Sequence, residues 1–177
     1  MTTEGPPTSG PSPRPLHWDA RRVLRVLAPL PPATAPALVV LCGLPGAGKS
    51  TLARAIAASA PAVVVSSDHI RKTLVKAPQY TDREHRRVFA AAHALTRHLL
   101  SAGIPVVFDA VNHTHHARAS ILAVAARCGA PALVVDVTAS EPVVRQRLQR
   151  RAAQPDAGDL SDATWEVHRA LAEQAEP

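Results

Sequence analysis

The sequence predicts an α/β fold in which helices cover both faces of a parallel β-sheet. Four short, valine-rich apolar runs, at 37–42, 62–66, 105–110 and 132–137, alternate with segments of helical pattern. Runs of this kind are typical of strands that are buried on both faces of a parallel sheet. Since parallel neighbours need crossover connections, the alternation indicates a three-layer αβα domain with four to five strands.

The N-terminal part of the chain differs in composition from the rest. Residues 1–15 are polar and rich in proline, so we expect a tail that buries too little apolar surface to order itself. Residues 17–30 have the spacing of a short amphipathic helix. Its inward face is predicted to contain Trp18, Val23, Leu27 and Leu30. We therefore divide the chain into a tail with a short helix, 1–36, and a main domain, 37–177.

Helical segments follow the strands. They are predicted at about 49–59, 69–76, 82–101, 115–128, 141–153 and 162–174, and the segment 141–153 contains the arginines of a short helical Arg-rich lid. The third opens with Thr81 and Glu84 in the spacing of a capping box and ends at Gly103. His93 and His98 on this helix are expected to cover an exposed face.

Composition limits the class of protein. Of the 177 residues 46% are hydrophobic but only 3% aromatic, so Ala, Val and Leu must fill the core. No apolar run approaches the roughly 20 residues that span a bilayer. Cys42 and Cys128 are too few for a disulfide framework. We expect a cytoplasmic protein with no membrane partner, and the net charge of +6 suits an anionic partner such as a nucleotide or nucleic acid.

The segment GLPGAGKS, residues 43–50, directly follows the first strand and opens a helix. It fits the P-loop pattern, in which backbone N–H groups and the positive end of a helix surround the phosphates of a nucleoside triphosphate. Lys49 then reaches the β- and γ-phosphates and the Ser50 hydroxyl ligates Mg²⁺. The predicted nucleotide-binding residues are Gly43, Leu44, Pro45, Gly46, Ala47, Gly48, Lys49, Ser50 and Thr51. ATP and Mg²⁺ are the expected cofactors.

The sequence lacks the signature motifs of several classes of P-loop protein. The chain contains neither an Asn-Lys-x-Asp guanine reader nor the Leu-Ser-Gly-Gly signature of transporter ATPases. Asp109 ends the third strand in a Walker B-like position, but Ala110 follows it instead of the glutamate that activates water in motor ATPases. Among the activities of P-loop proteins, transfer of the γ-phosphate to an acceptor other than water is then left, and this activity indicates a small kinase.

The stretch VVVSSDHIR, residues 63–71, places Asp68 and Arg71 just past the second strand. Ligands of open α/β sheets lie beyond the carboxyl ends of the strands. Asp68 can therefore accept the proton of an acceptor hydroxyl there, and Arg71 can hold an acceptor phosphate or the transferring group. In the alternative interpretation Asp68 caps a helix that starts at His69, and Arg71 is a solvated charge.

Three further features bear on the site. Asp109 is a candidate to hold Mg²⁺, directly or through water, or the acceptor, and Asn112 is a candidate polar contact in the same loop. The histidines of HTHH, 113–116, lack the matched cysteines or carboxylates of a zinc site. The stretch RQRLQRR contains Arg145, Arg147, Arg150 and Arg151. It is either a lid that closes over ATP and stabilises developing charge or a solvated basic face.

Together these residues resemble the polynucleotide kinase-like and zeta-toxin-like P-loop kinases, from residue 37 to about residue 174. The matching stretches are GLPGAGKS, SSDHIR, FDAVN with Arg118 downstream, and RLQRR followed by LSDA. The resemblance implies that Asp68 is the general base, that Arg71 assists transfer, and that Asp109 and a lid arginine contribute. The lid match falls on Arg147 or Arg151.

Two functions are carried forward. The first is an ATP-dependent, Mg²⁺-requiring kinase that transfers the γ-phosphate to a hydroxyl acceptor, which is a 5′-hydroxyl polynucleotide or a small molecule. The second is a nucleotide-binding regulatory module that hydrolyses ATP slowly and acts through a protein partner, with the N-terminal tail and the helix at 17–30 as the docking element. Acceptor-stimulated release of ADP distinguishes the two.

Overall fold

A computed structural model of the protein describes residues 16–27, 29–154 and 161–176. These residues form the predicted α/β architecture. The elements are α1 (Trp18–Leu27), β1 (Leu38–Cys42), α2 (Lys49–Ser59), β2 (Val63–Ser66), α3 (Ser67–Leu74), α4 (Asp82–Ser101), β3 (Val106–Asp109), α5 (His115–Arg127), β4 (Ala132–Asp136), α6 (Glu141–Ala153) and α7 (Trp165–Glu173). None of the helices in the described ranges combines the length and the apolar character needed to cross a bilayer.

The four strands of the described residues make one parallel sheet in the order β2-β3-β1-β4. Leu41 of β1 lies opposite Asp109 of β3, and Ser66 of β2 lies on the other side of Asp109. The ends of these three strands therefore meet at one edge. The expectation that every strand is buried on both faces is wrong for β4, because it lies at the edge of the sheet and Leu133 is 60% exposed.

Helices cover both faces of the sheet, as a three-layer domain requires. On one face α4 packs against β2 and β3 and also against α1, α3 and α5. On the other face α2 contributes Ala53 to a smaller cluster with Leu41 and Val107. Small aliphatic side chains dominate both clusters, which confirms the core composition inferred from the scarcity of aromatic residues.

Helix α1 shares the core of the main domain. Ala20 and Val23 are buried, and Asp19, which is also buried, forms two hydrogen bonds to the Arg87 guanidinium of α4, at 2.8 and 2.9 Å. The prediction that Trp18 faces inward is wrong, because its ring lies on the outside under Arg87, 4.9 Å from the guanidinium carbon. Leu27 and Leu30 pack against the core.

The predicted N-terminal tail, residues 1–15, lies outside the described residues. Helix α1 of the N-terminal part packs against α3 and α4 of the main domain. The domain division at residue 36 stays a prediction.

The ends of α3 and α4 differ in detail from expectation. Helix α3 begins at Ser67, and the Ser66 hydroxyl accepts a hydrogen bond from the His69 N–H at 3.5 Å. The alternative in which Asp68 caps this helix is therefore wrong, because Asp68 already lies within the first turn. Thr81 caps α4 as predicted, but the Glu84 carboxylate turns away from the capping box toward Arg71.

Candidate active site

The loop between β1 and α2 curls tightly, and its glycines are required for that shape. Gly43 has φ 132°, and a Cβ there would lie 2.3 Å from the Val137 carbonyl oxygen. Gly48, the residue before α2, has φ 113°. Side chains at these positions would clash or strain the backbone. The loop therefore depends on glycine to bring its N–H groups close to a ligand.

Lys49 opens α2 and closes over this loop. Its Nζ donates a hydrogen bond to the Leu44 carbonyl at 3.0 Å, and the residue is buried. Burial lowers the pKa of Lys49, while the carboxylates of Asp109 and Asp68 act in the opposite direction. The ammonium is thus enclosed at the sheet edge, where a phosphate would supply the missing counter-charge.

Ser50 and Asp109 form the oxygen-rich part of the site. The Ser50 hydroxyl donates to Asp109 Oδ2 at 2.7 Å, which joins the first turn of α2 to the end of β3. Burial raises the pKa of Asp109, and the hydrogen bond from Ser50 and the charge of Lys49 oppose this. Hydroxyl, carboxylate and phosphate oxygens are the ligands that Mg²⁺ prefers, so these two residues fit that ion.

Asp68 lies beside Asp109, because β2 and β3 are neighbours in the sheet. Burial raises the pKa of Asp68, whereas a hydrogen bond donated by the Ser161 hydroxyl acts to lower it. The charges of Lys49 and Arg71 also stabilise its carboxylate. Two carboxylates therefore flank the position above the P-loop, one from the end of β3 and one from the first turn of α3.

Arg71 is held rigidly on the next turn of α3. Its guanidinium forms an ion pair with Glu84 of α4 and lies over the Tyr80 ring, 4.7 Å from the centroid. The residue is only 6% exposed, so the alternative in which Arg71 is a solvated charge is wrong. Its Nε is buried and has no hydrogen-bond partner among the described residues.

The four arginines of α6 lie in different surroundings. Arg147 donates to the carbonyl oxygens of Gly46 and Ala47 at 3.1 and 3.0 Å and so fastens α6 to the P-loop. Arg151 faces the cleft, close enough for its charge to act on Lys49. Arg145 lies over the Trp165 ring of α7, and Arg150 is exposed.

All six residues that the sequence marked as catalytic line one cleft of about 2100 Å³. They are Lys49, Asp68, Arg71, Asp109, Arg147 and Arg151. The cleft begins at the P-loop, passes the two aspartates, and continues between α4 and α5. These residues come from four different elements, α2, α3, β3 and α6, and converge on a single space beyond the carboxyl ends of the strands.

The far wall of the cleft is a row of rings on α4 that the sequence analysis did not find. The His85 and Phe89 rings stack with centroids 4.4 Å apart, and His93 follows at 6.1 Å from Phe89. The expectation of an exposed His93 is wrong, because this ring turns toward the cleft and Phe108; His98 is exposed as predicted. The spacing i, i+4, i+8 was the available signal.

Burial lowers the pKa of both His85 and His93. At neutral pH this wall is therefore aromatic and largely uncharged.

A second missed feature closes the cleft from above. Asp162 accepts hydrogen bonds from Lys72 Nζ at 3.0 Å and from the Tyr80 hydroxyl at 2.7 Å. Helix α7 follows, and its His168 ring lies 2.8 Å from the Pro45 carbonyl of the P-loop. Nothing in the local sequence signals these contacts, because they join segments 82 to 123 residues apart.

The loop after β3 has a structural role in addition to its position in the cleft. The Asn112 side chain is buried and donates to the Leu41 carbonyl at 2.8 Å, which ties this loop to β1. Arg118 of α5 donates to the carbonyl oxygens of Asn112 and Glu176. Within the described ranges no three histidine, cysteine or acidic side chains are close enough to hold a metal ion, the HTHH segment included.

Comparison with known proteins agrees with this geometry. An adenylyl-sulfate kinase from Myxococcus xanthus is 35% identical over 115 residues, which cover 60% of this chain and 60% of that protein. The structure of Chaetomium thermophilum Kti12 in complex with ADP-AlF3 superposes with a TM-score of 0.63 at 21% identity, over 79% of this chain and 80% of that one.

The chain in the Pnkp1/Rnl/Hen1 RNA repair complex gives a TM-score of 0.60 at 21% identity, over 80% of this chain and 47% of that one. At these identities the two structures show the fold alone, and that fold is the one that the resemblance implied. Residues 38–177 match the family described as AAA domain, and the chain belongs to this family, with the fold of the polynucleotide kinase-like and zeta-toxin-like P-loop kinases.

Proposed function

We propose that the protein is an ATP-dependent, Mg²⁺-requiring kinase that transfers the γ-phosphoryl group to a hydroxyl acceptor. The observation that carries this proposal is the convergence of three groups in one cleft. These are the enclosed Lys49 ammonium, the Ser50–Asp109 hydrogen bond, and the Asp68 carboxylate in the first turn of α3, just after the neighbouring strand. Phosphoryl transfer needs phosphate binding, a metal site and a base that orients the nucleophile, and each group meets one need.

The P-loop and its neighbours bind the triphosphate in this proposal. The N–H groups of residues 43–51 surround the phosphates, and Lys49 neutralises charge on the β- and γ-phosphates. Ser50 and Asp109 hold Mg²⁺, which neutralises charge that develops on the phosphate oxygens. The buried setting strengthens these electrostatic interactions because water does not screen them.

Asp68 acts as the general base. It lies on the acceptor side of the site, and burial raises its pKa, so it is a better proton acceptor than an exposed aspartate. It orients the acceptor oxygen toward the γ-phosphate and receives its proton. Arg71, fixed by Glu84 and Tyr80, assists by holding an anionic group of the acceptor or the transferring phosphoryl group.

The lid arginines take different roles. Arg147 is engaged with the P-loop carbonyl oxygens, so it orients α6 over the nucleotide. Arg151 lines the same cleft as Lys49 and lies close enough for its charge to act on the Lys49 ammonium, where the transferring group would lie. We therefore assign the charge-stabilising role to Arg151 and the closing role to Arg147.

The row of rings supports an acceptor with a flat ring near its hydroxyl. A nucleobase can stack on His85, Phe89 or His93, as bases do on aromatic platforms of proteins that bind single strands. A nucleoside or a 5′-hydroxyl nucleic-acid end meets this description. The regulatory alternative finds no specific support in α1, because its Ala20 and Val23 are buried in the core and only its outer face, with Trp18 and Val26, is exposed.

The direct test supplies γ-labelled ATP and Mg²⁺ with a 5′-hydroxyl oligonucleotide and, separately, with a pool of small metabolites. We expect label on one acceptor and ADP release that depends on it. Lys49→Ala, which removes the buried ammonium, is the control and should transfer no label. ATP hydrolysis that no acceptor stimulates, and that only a protein partner alters, would support the regulatory module instead.

A further inference from the structure

The segment that closes the cleft, residues 161–163, is fastened to the acceptor side of the site. Asp162 receives hydrogen bonds from Lys72 of α3 and from Tyr80 in the loop before α4. Tyr80 has φ 54°, a left-handed conformation that is uncommon for a bulky residue. Such strain persists where surrounding contacts over-determine it, as at ligand clamps. Two contacts from separate elements thus fix the position of this segment above Asp68.

Ser161, the residue before this anchor, reaches the base. Its side chain and that of Asp68 line the cleft that also holds Lys49 and Ser50. Lys72, which donates to Asp162, lies one helical turn after Asp68 on α3, so the segment passes close to this carboxylate. A side-chain hydrogen bond from Ser161 acts to lower the pKa of Asp68. A hydroxyl beside this carboxylate, in the cleft that contains the phosphate-binding loop, is the arrangement that the proposed function requires of an acceptor. Ser161 supplies such a hydroxyl from within the chain.

We propose that Ser161 is an acceptor within the chain and that the enzyme phosphorylates it when no other acceptor fills the cleft. This inference rests on the proposed kinase function and adds an activity to it. It also gives the closing segment a second property, since an incoming acceptor must displace the Ser161 hydroxyl before it can reach Asp68.

The chemistry of the step is complete with ATP alone. The Ser161 Oγ forms a bond to the γ-phosphorus, and its proton passes to the Asp68 carboxylate. The bond between the γ-phosphorus and the oxygen that bridges to the β-phosphate breaks, and ADP leaves with that oxygen. The product is a phosphoserine between Asp68 and Asp162, where repulsion between like charges weakens the anchor of the segment.

The experiment incubates the full chain with γ-labelled ATP and Mg²⁺ in the absence of any acceptor and locates the label by mass spectrometry of peptides. We expect phosphoserine at residue 161. Ser161→Ala should lose the label, while Ser161→Thr, which keeps a hydroxyl, should carry it on threonine. Ser120→Ala is the matched control, because Ser120 lines the same cleft from α5 and should leave labelling unchanged.

Two further variants separate chemistry from position. Asp68→Asn should reduce the labelling rate about 10²-fold, the range of general base catalysis. Asp162→Ala keeps Ser161 but removes its anchor, so labelling should fall at least about tenfold as orientation is lost. When wild type is mixed with tagged Lys49→Ala chains, the label should stay on the wild-type chains, because the contact lies within one chain.

The possible failures are distinguishable. Transfer to an added acceptor without any phosphoserine at 161 would overturn this inference and leave the kinase function intact. Label on other residues, or full labelling of Ser161→Ala, would overturn it equally. Absence of both self-labelling and transfer to every acceptor would remove this inference and the proposed function together.

Discussion

Replacement of Arg87 tests whether α1 is docked as the structure describes. Arg87→Ala would leave the Asp19 carboxylate, which is 1% exposed, without its two hydrogen bonds between α1 and α4. Breaking a fully buried ion pair costs about 3–5 kcal/mol. Because the Arg87 side chain is 39% exposed, and because Asp19 lies in the first turn of α1, where the helix dipole stabilises it, we expect about 2–3 kcal/mol.

The reciprocal variant should cost less. Asp19→Asn removes the buried charge, and water can then solvate the half-exposed Arg87 side chain, so we expect a loss of about 1 kcal/mol. The double variant, Asp19→Asn with Arg87→Ala, has no unpaired carboxylate. This double variant should therefore be more stable than Arg87→Ala alone. The free energies of unfolding can be measured by urea denaturation followed by circular dichroism. Equal losses for the two single variants, or a loss below about 0.5 kcal/mol for Arg87→Ala, would refute the described docking.

Three further predictions concern the site. Lys49→Ala should fold normally by circular dichroism but lose ATP turnover, since the enclosed ammonium is gone; a folded variant with wild-type turnover would contradict the phosphate site. Glu84→Gln removes the charge that fixes Arg71, so the KM for the acceptor should rise about tenfold while that for ATP stays constant; equal changes in both constants would contradict this role. The ionised form of Asp68 is the base and burial raises its pKa, so kcat/KM should be lost as pH falls through a value above about 4; a limb at or below pH 4 would contradict the assignment.

The parts of the molecule that follow from local sequence were predictable. Each valine run became a strand within one residue of its expected ends, because short runs of β-branched residues favour strands, including β4 at the exposed edge. The loop GLPGAGKS was recognisable because its glycines stand at the positions where the backbone adopts positive φ, which other residues rarely do. The ends of parallel strands meet at one edge, so Asp68 and Asp109 could be placed together without coordinates.

The parts that depend on distant contacts were not predictable. The buried pair of Asp19 and Arg87 joins residues 68 positions apart, and Lys72 and Asp162 are 90 positions apart. Helix α3 begins earlier than expected because Ser66 caps it, and either serine of the SSD stretch satisfied the local rule equally well. The row of rings on α4, His85, Phe89 and His93, was not predicted. Helix periodicity shows that these side chains share a face, but it does not show which element that face contacts.

The rate of acceptor phosphorylation by Asp68→Asn at saturating ATP tests the proposed mechanism most directly. Asparagine keeps the size of the side chain, and Ser66 rather than Asp68 caps α3, so stability and ATP affinity should barely change. The account predicts a rate at least about 10²-fold below that of wild type. A rate close to wild type, in a variant with normal ATP affinity, would contradict the account and move the search for the base to Asp109.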